Sequence, residues 1–196
     1  MIAWINLAVL LFASLLFLYF YQLSVSPAAL EKLIGPKAYD KCGRYRMVAS
    51  LFEYLAVGCY IVYYFNPLPV PLPQTFPWSF WVSALIALII LVPAAYLMAS
   101  GIKHGGYETM APKKNHSLNK GIYLKIRHPQ AAGEVMIWWV IAFFLNSPFL
   151  VLFSFIYIPV FLMMSWSEER DLVLRYGNSY VKYYQKTGAF FPKRGS

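Results

Sequence analysis

Charge is scarce in this chain of 196 residues. Asp, Glu, Lys and Arg make up 13% of it, where a soluble domain carries about 25%, while apolar residues reach 60%. A water-soluble protein of this size needs polar residues for its outer face, and they are too few here. Cysteine is nearly lacking too. Cys42 and Cys59 show neither C-x-x-C spacing nor a histidine-rich neighbourhood, so neither a zinc site nor a disulfide framework is indicated and no metal is expected. Cys59, inside an apolar run, reads as a small packing residue. No internal repeat is visible and no chain of charges runs through the apolar segments, which disfavours an inverted-repeat transporter. Met1–Trp4 carries no basic residue, and the apolar stretch that follows outlasts a signal core, so the N-terminus reads as a retained first span.

What is present is apolar length. Five segments qualify as spans: roughly 2–23, 45–65, 78–100, 130–146 and 148–166, measured against the ~20 residues that cross a bilayer. Asn146-Ser147-Pro148 separates the last two, and the residue before a proline disfavours the helical region, so these spans should form a tight hairpin. Every one of the 17 lysines and arginines falls between spans one and two (Arg46 at the very start of span two included), between three and four, or after five. The loop 66–77 and the turn at 146–148 hold none. Five spans therefore put all basic residues on one side, with the N-terminus outside and the C-terminus cytosolic. The expected fold is an all-α integral-membrane protein of five transmembrane helices with a C-terminal cytosolic helix. It forms a single domain over 1–196, in the cytoplasmic membrane of a prokaryote or the endoplasmic reticulum of a eukaryote. The net charge of +9 then faces anionic headgroups and calls for no nucleic acid.

Two acids sit inside apolar segments, Glu53 and Glu134, and an intramembrane carboxyl is a functional-site hypothesis by default. The remaining polar residues gather in two blocks over 116–192. The first runs from His116 through Gly121, Tyr123, Arg127-His128-Pro129 and Gly133-Glu134. Pro129 suits the first turn of span four, placing Arg127 and His128 at a helix start that favours an anionic group. Gly133 permits close approach of a neighbouring backbone or a ligand. The second block holds Glu168-Glu169, then Leu172, Tyr176, Tyr180 and Tyr184 at i+4 spacing, one stripe if the segment is helical. The two blocks flank the short hairpin, so both return to the same edge and can enclose one ligand.

The pattern GxY-x3-RHP-x3-G, a short two-helix hairpin, EE-x2-L-x3-YG and a closing Phe191-Pro192 resembles the isoprenylcysteine carboxyl methyltransferases and related small integral-membrane methyltransferases. The likeness covers His116 to Pro192. It implies S-adenosylmethionine as methyl donor and a lipophilic acceptor reaching the site from the bilayer. By the same likeness Arg127, His128 and Pro129 match the motif, and His116, Tyr123, His128, Pro129, Gly133, Glu168 and Glu169 are the cofactor-binding candidates; the catalytic candidates are Arg127, Glu169 and, from its acid–base chemistry, Glu134. Two positions depart from the family pattern: Ala131 stands where a Tyr is usual, and Ala189 where an Arg precedes the aromatic-Pro ending. Both concern the acceptor class more than the donor.

The chemistry follows independently of the name. Methyl transfer is an in-line displacement at an activated sulfonium carbon, so the protein has to align the reactants and exclude water. Glu168 and Glu169 suit the donor's ammonium and sulfonium, and Arg127 or His128 its carboxylate. A carboxylate acceptor needs no base; an amine or thiol does, with Glu134 or His116 as candidates. Without a G-x-G-x-x-G after a strand, a soluble Rossmann methyltransferase is excluded. Two other readings stay open. One is an NAD(P)H-dependent sterol or steroid reductase relative, which also resembles the Arg-His-Pro block and commonly has an acid after its glycine. The other is a non-catalytic membrane adaptor.

Overall fold

The computed structural model describes residues 1–106, 111–112, 114 and 120–193. It is all-helical, with no strand among these residues. In chain order the helices are α1 (Ile2–Ser24), α2 (Pro27–Ile34), α3 (Lys37–Phe65), α4 (Phe80–Gly105), α5 (Pro129–Phe144), α6 (Pro148–Phe153), α7 (Tyr157–Tyr176) and α8 (Asn178–Lys186). A 3₁₀ turn at Gly121–Leu124 precedes α5, and another at Ser154–Ile156 joins α6 to α7.

Among the described residues four helical segments are long and apolar enough to cross a membrane: α1, α3, α4 and the rod Pro148–Tyr176 made of α6, the 3₁₀ turn and α7. In their most apolar windows only 28%, 28%, 22% and 39% of residues are buried inside the protein. The rest of that apolar surface has no protein cover, which in water would be prohibitive and in lipid is what a span presents. The expected fourth span is the 16-residue α5, roughly 24 Å at 1.5 Å per residue, short of a bilayer's hydrocarbon core. Two boundaries also differ from the sequence reading. Helix α3 starts at Lys37 rather than Tyr45, and α7 continues to Tyr176 rather than stopping at Trp166. Hydropathy marks the apolar part of a helix, not its end, and neither Lys37–Arg46 nor Glu168–Arg175 contains a proline that would stop one. The hairpin turn is as expected: Asn146 takes φ 50 and Ser147 Oγ accepts from the Leu150 N–H at 3.3 Å, capping α6.

Helix α1 packs along α3, and α4 along α5, through small residues that let backbones approach. Ala49 and Ala56 of α3, Ala87 and Ala94 of α4, and Ala142 of α5 are all buried. Gly133 belongs to this set. A Cβ there would lie 2.6 Å from Met98 Cγ and 2.7 Å from the Ala94 carbonyl oxygen, so the close approach it permits is that of α4. Leu10, Phe17, Tyr60, Trp138, Tyr157 and Phe161 form the centre, with Trp138 stacked on Tyr157 at 3.8 Å. Two pairs of buried hydroxyls join the helices, Tyr60 with Ser154 and Ser14 with Tyr157, each at 3.0 Å. Helix α2, not foreseen from hydropathy, is held at its N-terminus by Asp171 of α7, whose Oδ1 accepts from the N–H groups of Ala28 and Ala29 at 2.9 and 3.1 Å. A carboxylate there satisfies otherwise unpaired N–H groups and complements the helix dipole.

Candidate functional site

Pro129 occupies the first turn of α5 and His128 its N-cap position, which fixes the Arg-His pair at the mouth of the helix. The tail comes back to meet it. The N–H of Arg127 donates to the carbonyl oxygens of Gly188 and Ala189 at 2.9 and 3.1 Å, and the N–H of His128 to Ala189 at 3.0 Å. Ile126 and Gly188 form an isolated parallel bridge. Gly188 allows this fold-back, because a Cβ there would run into the Phe191 carbonyl.

The side chains form one network. Arg127 Nε donates to Glu169 Oε1 at 2.7 Å, and its Nη1 donates to the carbonyl oxygens of Tyr184, at 3.2 Å, and Thr187. The guanidinium lies 4.1 Å from the centre of the Tyr184 ring, a cation–π contact. His128 stands between the acids, Nε2 2.9 Å from Glu169 Oε1 and Nδ1 3.4 Å from Glu168 Oε2. Tyr183 Oη donates to the Tyr123 carbonyl at 2.6 Å, and Tyr123 Oη to the Gly101 carbonyl at 3.3 Å. Arg127, His128 and Glu169 are buried, while the Glu168 side chain keeps 34% of its surface open.

Both ring nitrogens of His128 face carboxylates, and only the imidazolium can donate to both. Burial works against that charge, but the hydrogen bonds and charges of Glu168 and Glu169 outweigh it and raise the pKa above the ordinary 6.5. Because the folded-state pKa is the higher one, this contribution to stability is complete below the unfolded value and disappears as pH rises through the folded one. Unfolding midpoints measured from pH 5 to pH 9 are expected to fall on the alkaline side of about 6.5. In a His128→Asn variant that step is expected to flatten.

The structure thus brings together Tyr123, Arg127, His128, Pro129, Glu168 and Glu169. Gly133 faces α4 instead. Glu134 stands apart: it takes part in none of these contacts and lines neither cavity. His116 lies outside the described residues. The single stripe expected for Leu172, Tyr176, Tyr180 and Tyr184 is broken at Gly177, where φ is 54, so the four are shared between α7 and α8. Arg127 and Glu169 spend their contacts on each other and on the tail, which makes them a clamp. A narrow cleft beside the clamp, with ≈ 60 Å³ of free space, is lined by Tyr21, Arg46, Tyr123, Gln130, Glu168 and Tyr183 among others. Tyr21 and Arg46 come from α1 and α3, outside both polar blocks. Arg46 counted only toward topology in the sequence, although its place at the edge of an apolar run was a usable signal. A second cavity, of ≈ 390 Å³, opens between α4, α5 and α7 and is lined by apolar residues including Leu97, Val135, Trp139, Ile158, Phe161 and Phe190. Ala131 lines both cavities.

No known protein family, curated protein or solved structure matches this chain.

Proposed function

We propose that this chain is an integral-membrane methyltransferase that moves a methyl group from S-adenosylmethionine to a lipophilic acceptor held in the bilayer. The observation that carries this reading is the meeting of a polar cleft and an apolar groove at Ala131. A charged metabolite needs the first and a lipid needs the second. Where the resembling family has a Tyr, this chain has the small Ala131 as the wall that the two share.

The residues around the cleft suit the donor. Glu168, part-open and beside His128, suits its ammonium and sulfonium; Arg46 is the cationic wall that suits its carboxylate, and Tyr21, Tyr123 and Tyr183 offer aromatic faces. S-adenosylmethionine supplies an activated methyl group. The chain itself has to orient the acceptor, exclude water and hold the charge pattern. The free space is smaller than an adenosyl group, so binding has to part α8 and the tail from α1 and α3, a loop-scale rearrangement of a known kind. The test is calorimetric titration of the detergent-solubilised protein with S-adenosylhomocysteine and with NADPH. Binding of the first alone is expected; binding of NADPH alone would favour a reductase, and binding of neither an adaptor. Glu168→Gln is expected to weaken S-adenosylhomocysteine by roughly 1.5–3 kcal/mol, the range of a charge-assisted contact, with the fold intact.

The orientation belongs to the same reading. Five crossings, with α5 and the 148–176 rod as a short hairpin, the N-terminus outside and the C-terminus cytosolic, place all 17 basic residues on the cytosolic face where the donor is found. The protein then resides in the cytoplasmic membrane of a prokaryote or the endoplasmic reticulum of a eukaryote. Reporter fusions after Ser196 and within 67–73 are expected to give opposite-side signals, and same-side signals would refute this topology.

A further inference from the structure

Serines within the helices of this chain return their hydroxyls to the carbonyl one turn back: Ser14 to Leu10, Ser50 to Arg46, Ser154 to Leu150 and Ser167 to Met163, at 2.7–3.2 Å. Ser165 of α7 does not. It is 3% exposed, and its Oγ is buried with no hydrogen-bond partner among the described residues. An unpaired buried hydroxyl costs stability, so its presence points to a use. Contacts on either side of Ser165 fix what it faces. Helices α5 and α7 run antiparallel, with His128 meeting Glu169 at 2.9 Å at one end and Trp138 stacked on Tyr157 at the other. One turn inward from His128 come Ala131 and Ala132, and one turn inward from Glu168 and Glu169 comes Ser165. A further turn inward, Val135 and Met136 line the groove together with Phe161 and Leu162. Ser165 therefore stands across from Ala131, the wall that cleft and groove share. On its own helix it falls on the face that carries Glu168 and Leu172 to the cleft and Phe161 to the groove.

Resting on the methyl-transfer reading, we propose that Ser165 binds the head of the lipophilic acceptor, its hydroxyl supplying the hydrogen bond that the groove itself lacks. The groove is lined by apolar and aromatic residues, and the indole Nε1 of Trp139 is already committed to the Val151 carbonyl oxygen at 3.2 Å. Such walls read the length of a chain but not the chemistry of its end. Ser165 adds that discrimination. An oxygen or nitrogen head pairs with a hydroxyl as donor or acceptor, whereas a thiol is weak in both roles. The acceptor is then a lipid with a hydrogen-bonding oxygen or nitrogen at its head. Phe190 of the tail lies 5.7 Å from His128 and lines the groove, so the movement of the tail that admits the donor also opens the way to Ser165. The acceptor brings the partner that the hydroxyl lacks at rest, and one directed hydrogen bond turns its head toward the methyl group.

The test uses the full chain in nanodiscs and the variant Ser165→Ala, which removes the oxygen and little else. Its unfolding midpoint is expected at or above that of wild type, because an unpaired buried hydroxyl is gone. Its affinity for S-adenosylhomocysteine is expected within about twofold of wild type, since no contact of the donor is removed. With labelled donor, kcat/KM for hexadecanoate or hexadecylamine, whichever the wild type methylates, is expected to fall about threefold to tenfold, the range of one hydrogen bond. Hexadecanethiol is expected to change by less than about twofold. A lowered midpoint with unchanged acceptor kinetics would make the hydroxyl a packing element and overturn the inference. An equal loss on the thiol, or a wild type that methylates the thiol alone or none of the three, would overturn it too. Each of these outcomes leaves S-adenosylmethionine as the donor. Failure of the wild type to bind S-adenosylhomocysteine would overturn both readings.

Discussion

Replacing Arg127 by methionine is expected to cost about 3–5 kcal/mol, the penalty for removing one partner of a buried ion pair. The size follows from what is left behind. Glu169 would be buried without its 2.7 Å partner, and the carbonyl oxygens of Tyr184 and Thr187 would lose their donor. The cation–π contact with Tyr184 disappears as well. The bulk of the side chain is kept, so the loss reports on charge and hydrogen bonding rather than on a cavity. Because these contacts tie the tail to the mouth of α5, the damage should be local in origin. Amide hydrogen exchange in micelles is expected to speed up at Arg127 and His128, whose N–H groups donate to Gly188 and Ala189, while the Trp138–Tyr157 centre stays protected. Exchange that rises equally in α1 and α3 would mean the clamp supports the whole bundle.

Turnover of a homologous acceptor series is expected to climb with apolar chain length until the groove of ≈ 390 Å³ is filled. Each methylene moved from water to an apolar wall contributes about 0.8 kcal/mol. Lengthening the chain by about four methylenes, at that increment, is worth roughly 3 kcal/mol, or about two orders of magnitude in kcat/KM. The measurement is methyl transfer from labelled donor, with each acceptor below saturation in detergent or proteoliposomes. Equal rates for a short soluble acceptor and its long-chain analogue would mean that the groove binds no substrate. Ala131→Trp puts a large ring where cleft and groove meet, and is expected to abolish the length dependence while S-adenosylhomocysteine still binds.

The apolar runs, the segregation of basic residues and the Asn146-Ser147-Pro148 turn determined by themselves that the chain is a helical membrane protein with a short hairpin near its end. Those properties depend on local composition and on transfer from water to lipid, which act residue by residue. The spacing of the two polar blocks also placed them at one edge, because a hairpin must bring its two ends together; that His128 touches Glu168 and Glu169 there came from the structure. Which groups stay open to a ligand was decided elsewhere. Arg127 and Glu169 look equivalent to Glu168 in sequence, yet the fold-back of Thr187–Ala189 closes over them and leaves Glu168 part-exposed. Gly133 stood beside the motif, but the approach of α4 gave it a packing role. Tyr21 and Arg46 reach the cleft because helices far apart in the chain lie side by side there. Long-range packing of this kind leaves no trace in the spacing of any one segment, so only the tertiary structure could set the charges that face the cleft.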